Sequence, residues 1–245
     1  MRRAFRAADT VAIQGTRTMR DISYEEQTVN APNPLARFAH RTRMVVALDL
    51  AIQACPEHAT VLDFGAGPGL FLHTLGQARR DVHLIGHDPF VASGFPEIKY
   101  ADSFNRIDDT SVDVLTAFEV CEHLYPQEID QLLEDASRVM KPNATLIISV
   151  PIMYGVAVIP KVLNWMVRHR KSKTEYSVPE ILQSAIGTRV SRPENPRGTH
   201  KGFDFRELRD TVEQRFTVSA VRHSPVKWLP WWLSSQYFMI CRKAA

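Results

Sequence analysis

A chain of 245 residues can form one large domain or two small ones, and 44% hydrophobic with 23% charged residues is the balance of an ordinary globular protein. A net charge of +3 is too small to argue for nucleic acid by itself. Three widely spaced cysteines, Cys55, Cys121 and Cys241, give no CxxC pair, which leaves out a cysteine zinc site and a disulfide framework and fits a reducing compartment.

The opening MRRAFRAADTVAIQGTRTMR is Arg-rich without a continuous apolar core, so it does not read as a secretory signal. A basic tail over 1–32 is expected, with an organelle transit peptide as the alternative, followed by a single domain over 33–245. Apolar residues at helical spacing (Leu35, Phe38, Met44, Val45, Leu48, Ile52) predict a helix from Asn33 to Ala54. A short strand Thr60–Phe64, a helix Gly69–Ala78 and strands Val82–His87 and Ile98–Ala101 follow. Next come a strand Val112–Phe118 and a helix Pro126–Met140, whose proline stands where a missing N–H costs nothing. Lys141-Pro142-Asn143 reads as a turn, and Thr145–Val150 as a buried parallel strand, β-branched and apolar. Strands alternating with helices imply a mainly parallel sheet covered on both faces. The pattern breaks over 151–202, an insertion expected on the acceptor side of the site. It returns with a helix Asp204–Gln214 and strands Phe216–His223 and Gln236–Cys241. The longest mainly apolar run, Ala144 to Pro160, is shorter than the ~20 residues of a membrane-spanning helix and is broken by Pro151. No transmembrane segment is expected, and the location is read as cytoplasmic.

TVLDFGAGPGL, Thr60 to Leu70, joins a strand to a helix through Gly65, Gly67 and Gly69, a loop that lets a nucleotide-like ligand approach the backbone. The dinucleotide fingerprint would need glycine at position 70, which is Leu70. Asp63 would repel a pyrophosphate but suits a cationic amino-acid group by charge complementarity. Nucleoside plus ammonium is therefore the ligand expected. Asp88 ends the next strand, nineteen residues after Gly69, where a carboxylate can accept both ribose hydroxyls. Asp102 and Ser103 follow the third strand beside a prospective adenine edge.

Together these blocks resemble the class I S-adenosylmethionine-dependent methyltransferases, from about Val61 to Val150. VLDFGAGPG is similar to the first motif, HDPF to the acidic strand end and ADSF to the adenine-side loop. VDVLTAFEVCEHL with LLEDASRVMKPNATLIISVP resembles the fourth-to-fifth-strand block; Pro142-Asn143-Ala144 stands where the family usually has a glycine-rich turn. The resemblance implies a Rossmann-like, doubly wound sheet of seven strands with an insertion between strands five and six. It also implies that Asp63, Gly65, Gly67 and Gly69 surround the methionine part, Asp88 binds ribose, Asp102 the adenine amine with Ser103 assisting, and Phe118 borders the cofactor.

FEVCEH, Phe118 to His123, ends the fourth strand. If Glu119 starts a helical turn, Glu122 and His123 fall at i+3 and i+4 on its face, a set suited to Mg²⁺ or Mn²⁺. With His200 in GTHKGFDF, this resembles the Glu-x-x-Glu-His and His-Lys-Phe blocks of the small-RNA terminal 2′-O-methyltransferases, although Gly202 interrupts the second. The first block also resembles the ubiquinone-pathway O-methyltransferases. The resemblance implies Glu119, Glu122, His123 and His200 as metal ligands and an acceptor hydroxyl activated beside them, with Glu119 and His123 catalytic. A metal-free general base at His123 and a merely structural block remain the alternatives.

Lys161, Arg168, Arg170, Lys171 and Lys173 lie among Val162, Leu163, Trp165, Met166 and Val167 with no acid before Glu175. Peripheral membrane contact through 161–173, a grip on a phosphate-bearing acceptor and a solvated helix face are the readings of that segment. Trp228-Leu-Pro-Trp-Trp232 is either a lipid- or ring-binding wall or a packed corner. The expected activity is methyl transfer to a small or lipid-linked acceptor, more on oxygen than on nitrogen, with nucleic acid not expected as a partner. The rivals are a nicotinamide-dependent oxidoreductase and a non-catalytic cofactor-binding scaffold.

Overall fold

The computed structural model describes residues 34–91, 93–169 and 175–243. The expected basic tail, and Arg170, Lys171 and Lys173, lie outside them. In chain order the elements are α1 (Pro34–Ala54), β1 (Thr60–Phe64), α2 (Leu70–Ala78), β2 (His83–His87), β3 (Lys99–Tyr100), β4 (Val112–Phe118), α3 (Pro126–Val139) and β5 (Met140–Pro151). The insertion supplies α4 (Val158–His169) and α5 (Val178–Ala185), and α6 (Phe205–Glu213), β6 (Phe216–Ser224) and β7 (Gln236–Lys243) complete the chain.

The seven strands form one sheet in the order β3-β2-β1-β4-β5-β7-β6. Strands β1 to β5 are parallel, while β7 runs antiparallel to both β5 and β6. One apolar layer packs α3 and α6 on one face through Leu132, Leu133, Leu208 and Val212; the other packs α1 and α2 through Leu48, Ala51, Leu72 and Leu75. Continuous apolar strands such as LIISV need both faces covered, which is why the sheet is sandwiched between helices. The strand order reverses between β1 and β4, so the crevice at their carboxyl ends is the expected ligand position.

Two expectations need correction. The turn at Lys141-Pro-Asn is part of β5: Met140 already pairs with Val112, and the pairing shifts before Val114, with Asn143 at φ 65° taking up the irregularity. The insertion is not patternless. Ser177 and Glu180 form a capping box, Ser177 Oγ accepting from the Glu180 N–H and the Glu180 carboxylate from the Ser177 N–H, which starts α5. Helices α4 and α5 share a small core of Val158, Val162, Tyr176 and Val190, packed against by Ile181 and Ala185.

Gly155 fixes how the insertion leaves the sheet. Its φ is 79°, its N–H donates to the Ser184 carbonyl (2.8 Å), and a Cβ there would sit 2.4 Å from the Trp232 backbone oxygen. Neither the left-handed backbone nor the neighbouring main chain tolerates a side chain. Gly155→Ala is expected to cost about 2–4 kcal/mol, read as a lowered urea midpoint; an unchanged midpoint would refute this account of the junction.

Candidate active site

The three glycines after β1 all have positive φ (74°, 52° and 93° at Gly65, Gly67 and Gly69). The loop is locked internally. The N–H groups of Gly65 and Ala66 donate to the His87 carbonyl, and that of Gly69 to the Ala66 carbonyl. The Gly67 N–H donates to Asp88 Oδ2 (3.0 Å), and the Tyr100 hydroxyl donates to the Gly67 carbonyl (2.6 Å). These loop amides therefore hold the loop itself, and its contribution to a ligand is closeness of approach: a Cβ at Gly67 would meet nothing within 4 Å, so that glycine borders open space. Tyr100 braces this loop, a contact that sequence reading missed because its partner lies 33 positions away.

Asp63 is buried on β1, where the Thr116 hydroxyl donates to its Oδ1 (2.6 Å). Burial, together with the nearby Asp88 charge and against that hydrogen bond, pushes its carboxyl up to about 7. Asp88 Oδ1 accepts from the N–H groups of Phe90 (2.9 Å) and Val91 (3.1 Å). Asp102 is exposed, with Arg106 at 3.5 Å, and Ser103 Oγ accepts from the Asn105 N–H as a turn cap. Phe118 packs edge-on against Phe71 and Phe238. Asp63, the glycines and Asp88 thus gather at one crevice, while Asp102 and Ser103 have their polar groups engaged at its outer edge.

Glu119 does not begin a helical turn. It has φ 58°, and the short 3₁₀ turn that follows spans Cys121–His123. That backbone turns its carboxylate away from Glu122: Arg43 of α1 pairs with Oε2 at 2.8 Å, Gln236 of β7 donates to Oε2 (2.9 Å), and the Ser149 hydroxyl donates to Oε1 (3.3 Å). Burial alone would raise this carboxyl; the Arg43 guanidinium, the Gln236 amide and more distant positive groups hold it below its usual range. Arg43 and Gln236 are further residues that the sequence did not announce.

Glu122, His123 and His200 do converge. Their ligand atoms lie within 4.8 Å of one another, and the two imidazole Nε2 atoms are 3.2 Å apart. His200 is delivered by the insertion, and Arg192 from the same segment donates to the Glu122 carbonyl (2.8 Å), clasping the turn. Glu122 is fully buried, and among the described residues neither carboxyl oxygen has a hydrogen-bond partner. Burial, then the Glu119 charge, raises its pKa well above the usual carboxylate range. Burial lowers both imidazoles, His200 to about 4 with His123 adding to the effect, so at neutral pH they are uncharged, and one Nε2–H can donate to the other ring's lone pair. The His200–Glu122 separation of 4.0 Å is accordingly no ion pair. A cation would displace the Glu122 proton and meet one carboxylate and two neutral imidazoles, a nitrogen-rich donor set that suits Mn²⁺ or another borderline divalent ion ahead of Mg²⁺. Lys161, expected on a basic surface, is turned inward. Its Nζ donates to the Ile152 and Ser235 carbonyls at 2.8 Å each, and burial lowers it to about 8 against the pull of Glu119 and Glu122.

The methyltransferase domain family matches residues 36–185. The chain belongs to that family. Its fold is that of the class I S-adenosylmethionine-dependent methyltransferases. It resembles the PH0226 protein from Pyrococcus horikoshii OT3 at 13% identity and TM-score 0.58, over 90% of this chain and 96% of that one. It resembles a TehB-like SAM-dependent methyltransferase from Corynebacterium glutamicum at 14% identity and TM-score 0.53, over 86% and 100%. The N-methyltransferase NodS from Bradyrhizobium japonicum WM9 matches at 10% identity and TM-score 0.52, over 84% and 96%. These likenesses bear on the fold alone. No curated protein matches this methyltransferase by sequence. Among the described residues no helix is long and apolar enough to cross a membrane.

Proposed function

We propose that this methyltransferase transfers the methyl group to a hydroxyl oxygen of a small or lipid-linked acceptor, with Mg²⁺ or Mn²⁺ held by Glu122, His123 and His200. The observation that carries this reading is Glu122, whose buried carboxyl oxygens lack a hydrogen-bond partner among the described residues and lie with two neutral imidazoles. A cation bound there lowers the pKa of a ligated hydroxyl. The protein's own share is positioning. Asp88 takes the ribose hydroxyls, the glycine loop admits the methionine part beside Asp63, and Asp102 with Ser103 serves the adenine edge. Glu119, fixed by Arg43 and Gln236, adds negative charge next to the acceptor without itself ligating. The second reading needs no metal: His123 Nε2 takes the acceptor proton as the new C–O bond forms and the C–S bond breaks, releasing S-adenosylhomocysteine.

Titration of S-adenosylhomocysteine into metal-stripped protein, then of Mn²⁺ into the same cell, separates the readings. Cofactor heat followed by a saturating Mn²⁺ signal near one equivalent is expected, with that signal lost in Glu122→Gln. A silent Mn²⁺ titration would remove the metal and leave His123 as base, or a nitrogen acceptor of the kind that NodS is named for. No cofactor heat would bring forward the scaffold.

Asp63 adds a pH test. Its raised pKa means that the folded apoprotein binds a proton which the unfolded chain, with a carboxyl near ~3.9, releases earlier. The apo fold therefore loses stability as pH rises from ~4 to about 7, and a ligand ammonium, by favouring the carboxylate, restores part of it. Binding of S-adenosylhomocysteine at pH ~6 should release a proton, and affinity should fall by up to about tenfold per pH unit below 7. Calorimetry in buffers of different ionisation enthalpy reads this directly. Zero proton release would take Asp63 away from the ammonium.

A further inference from the structure

The insertion leaves an apolar surface that is exposed among the described residues. On α5 and its end, Val178, Leu182 and Ile186 recur at four-residue spacing and are 71%, 62% and 81% exposed. They form one stripe. The buried contacts of the same helix, Ile181 and Ala185, lie one position earlier, so this stripe borders the α4–α5 seam and takes no part in it. On α4, Ile159 and Leu163 repeat the arrangement beside buried Val158 and Val162. The link between β6 and β7 joins this region: the Val156 N–H donates to the Trp232 carbonyl (2.9 Å), and the Trp231 ring approaches Gly187 at the end of α5. That link resolves the two readings of the tryptophans. Trp231 is packed on Phe205, while Trp228 is 82% exposed beside exposed Lys227.

Charge decides what such a surface meets. From Ile152 to Thr174 the sequence has five Lys or Arg and no Asp or Glu, and from Gln214 to Ala245 it has five more and again no acid. Lys161 is spent inside, but Arg168 on α4 and the three basic residues that follow it stand in the stretch leading to α5. The α5 stripe carries one acid, Glu180, which is neutralised by Lys201 at 2.7 Å, and it follows the basic run, while Trp228 stands next to Lys227 in acid-free sequence; together they complement an interface that is apolar beneath and anionic above.

We propose that this face of the insertion docks the methyltransferase peripherally on an anionic lipid bilayer, with Val178, Leu182 and Ile186 entering the acyl boundary. The contact thus centres on α5 and Trp228, whereas the sequence had suggested 161–173. It deepens the lipid-linked form of the acceptor reading and rests on it for its purpose, yet binding to vesicles is measured without turnover. A failure here therefore leaves the transferase standing, and a failure of the acceptor leaves the surface standing.

The experiment is co-sedimentation of the full chain with vesicles of phosphatidylcholine alone and of phosphatidylcholine with phosphatidylglycerol, at low and high salt. The parent chain should bind the anionic vesicles, weaken in high salt, and bind the zwitterionic ones at least about tenfold less. Leu182→Ser with Ile186→Ser should lose about tenfold or more of the anionic binding, while its S-adenosylhomocysteine affinity, measured in parallel, certifies the fold. Should that double variant misfold, Trp228→Ser alone, on a separate exposed link, should lose a measurable share. The proposal is overturned by equal binding of variant and parent or by no binding to anionic vesicles. It is overturned too by a concentration-dependent dimer that the substitutions abolish, which would make a second copy the occupant.

Discussion

His123→Ala is expected to abolish methyl transfer while leaving S-adenosylhomocysteine affinity unchanged. The imidazole sits in the 3₁₀ turn after β4 with its Nε2 at His200, and it is Val120, at the start of that turn, that packs on Gly65, so trimming the imidazole should leave the nucleoside crevice intact. Either proposed role depends on its Nε2. As a ligand it is one of three, and its loss should weaken Mn²⁺ binding by about 10–100-fold or more. As a base it supplies about 10²–10⁴-fold of rate. The two roles separate on rescue: added imidazole should restore part of the rate only if the ring acts as a base, and excess Mn²⁺ only if it acts as a ligand. Full activity of the variant would take His123 out of the mechanism.

Asp88→Ala should weaken S-adenosylhomocysteine binding by about 10²–10⁴-fold, since two hydrogen bonds to a charged acceptor are lost at ~1.5–3 kcal/mol each. The structure adds a second reason. The same carboxylate accepts the Gly67 N–H and those of Phe90 and Val91, so the variant also loosens the loop beside the ligand. Asp88→Asn probes this division. Its remaining oxygen can keep the Phe90 and Val91 contacts, but its NH₂ group would oppose the Gly67 N–H and a ribose hydroxyl. A loss close to that of alanine is expected from Asn, measured by calorimetry. Unchanged binding in both variants would move the ribose elsewhere.

The sheet was legible because its signal is local. Each of β1, β2, β4 and β5 is a short apolar run, and the glycine loop and Asp88 stand at strand ends that pattern alone can place. The site beyond them was only partly legible. Glu122, His123 and His200 were expected together and lie together, but Glu119 was expected on a helical face and instead takes a left-handed backbone. No spacing rule signals that conformation, because it is imposed by Arg43, Ser149 and Gln236, which lie 76, 30 and 117 positions away. Lys161 shows the same limit in reverse: a basic residue amid basic residues reads as surface until its ammonium is found on two main-chain carbonyls. A helix was one reading of the basic segment that forms α4, whereas α5 escaped notice because Pro179 and Glu180 interrupt its apolar period, although the Ser177–Glu180 capping pair was there to be read.

The position of β7 has a consequence for the order of assembly. Strand β7 follows β6 in sequence yet lies between β5 and β6, so β6 has no neighbour in the sheet until β7 is in place. Pairing over such sequence distances is slow to form, and the nascent chain before that moment exposes the open edge of β5. Gln236, which steadies Glu119, arrives on the same strand. Completion of the sheet and completion of the acceptor side of the active site are therefore a single late event, and a chain stalled short of it has the nucleoside crevice without the means to use it.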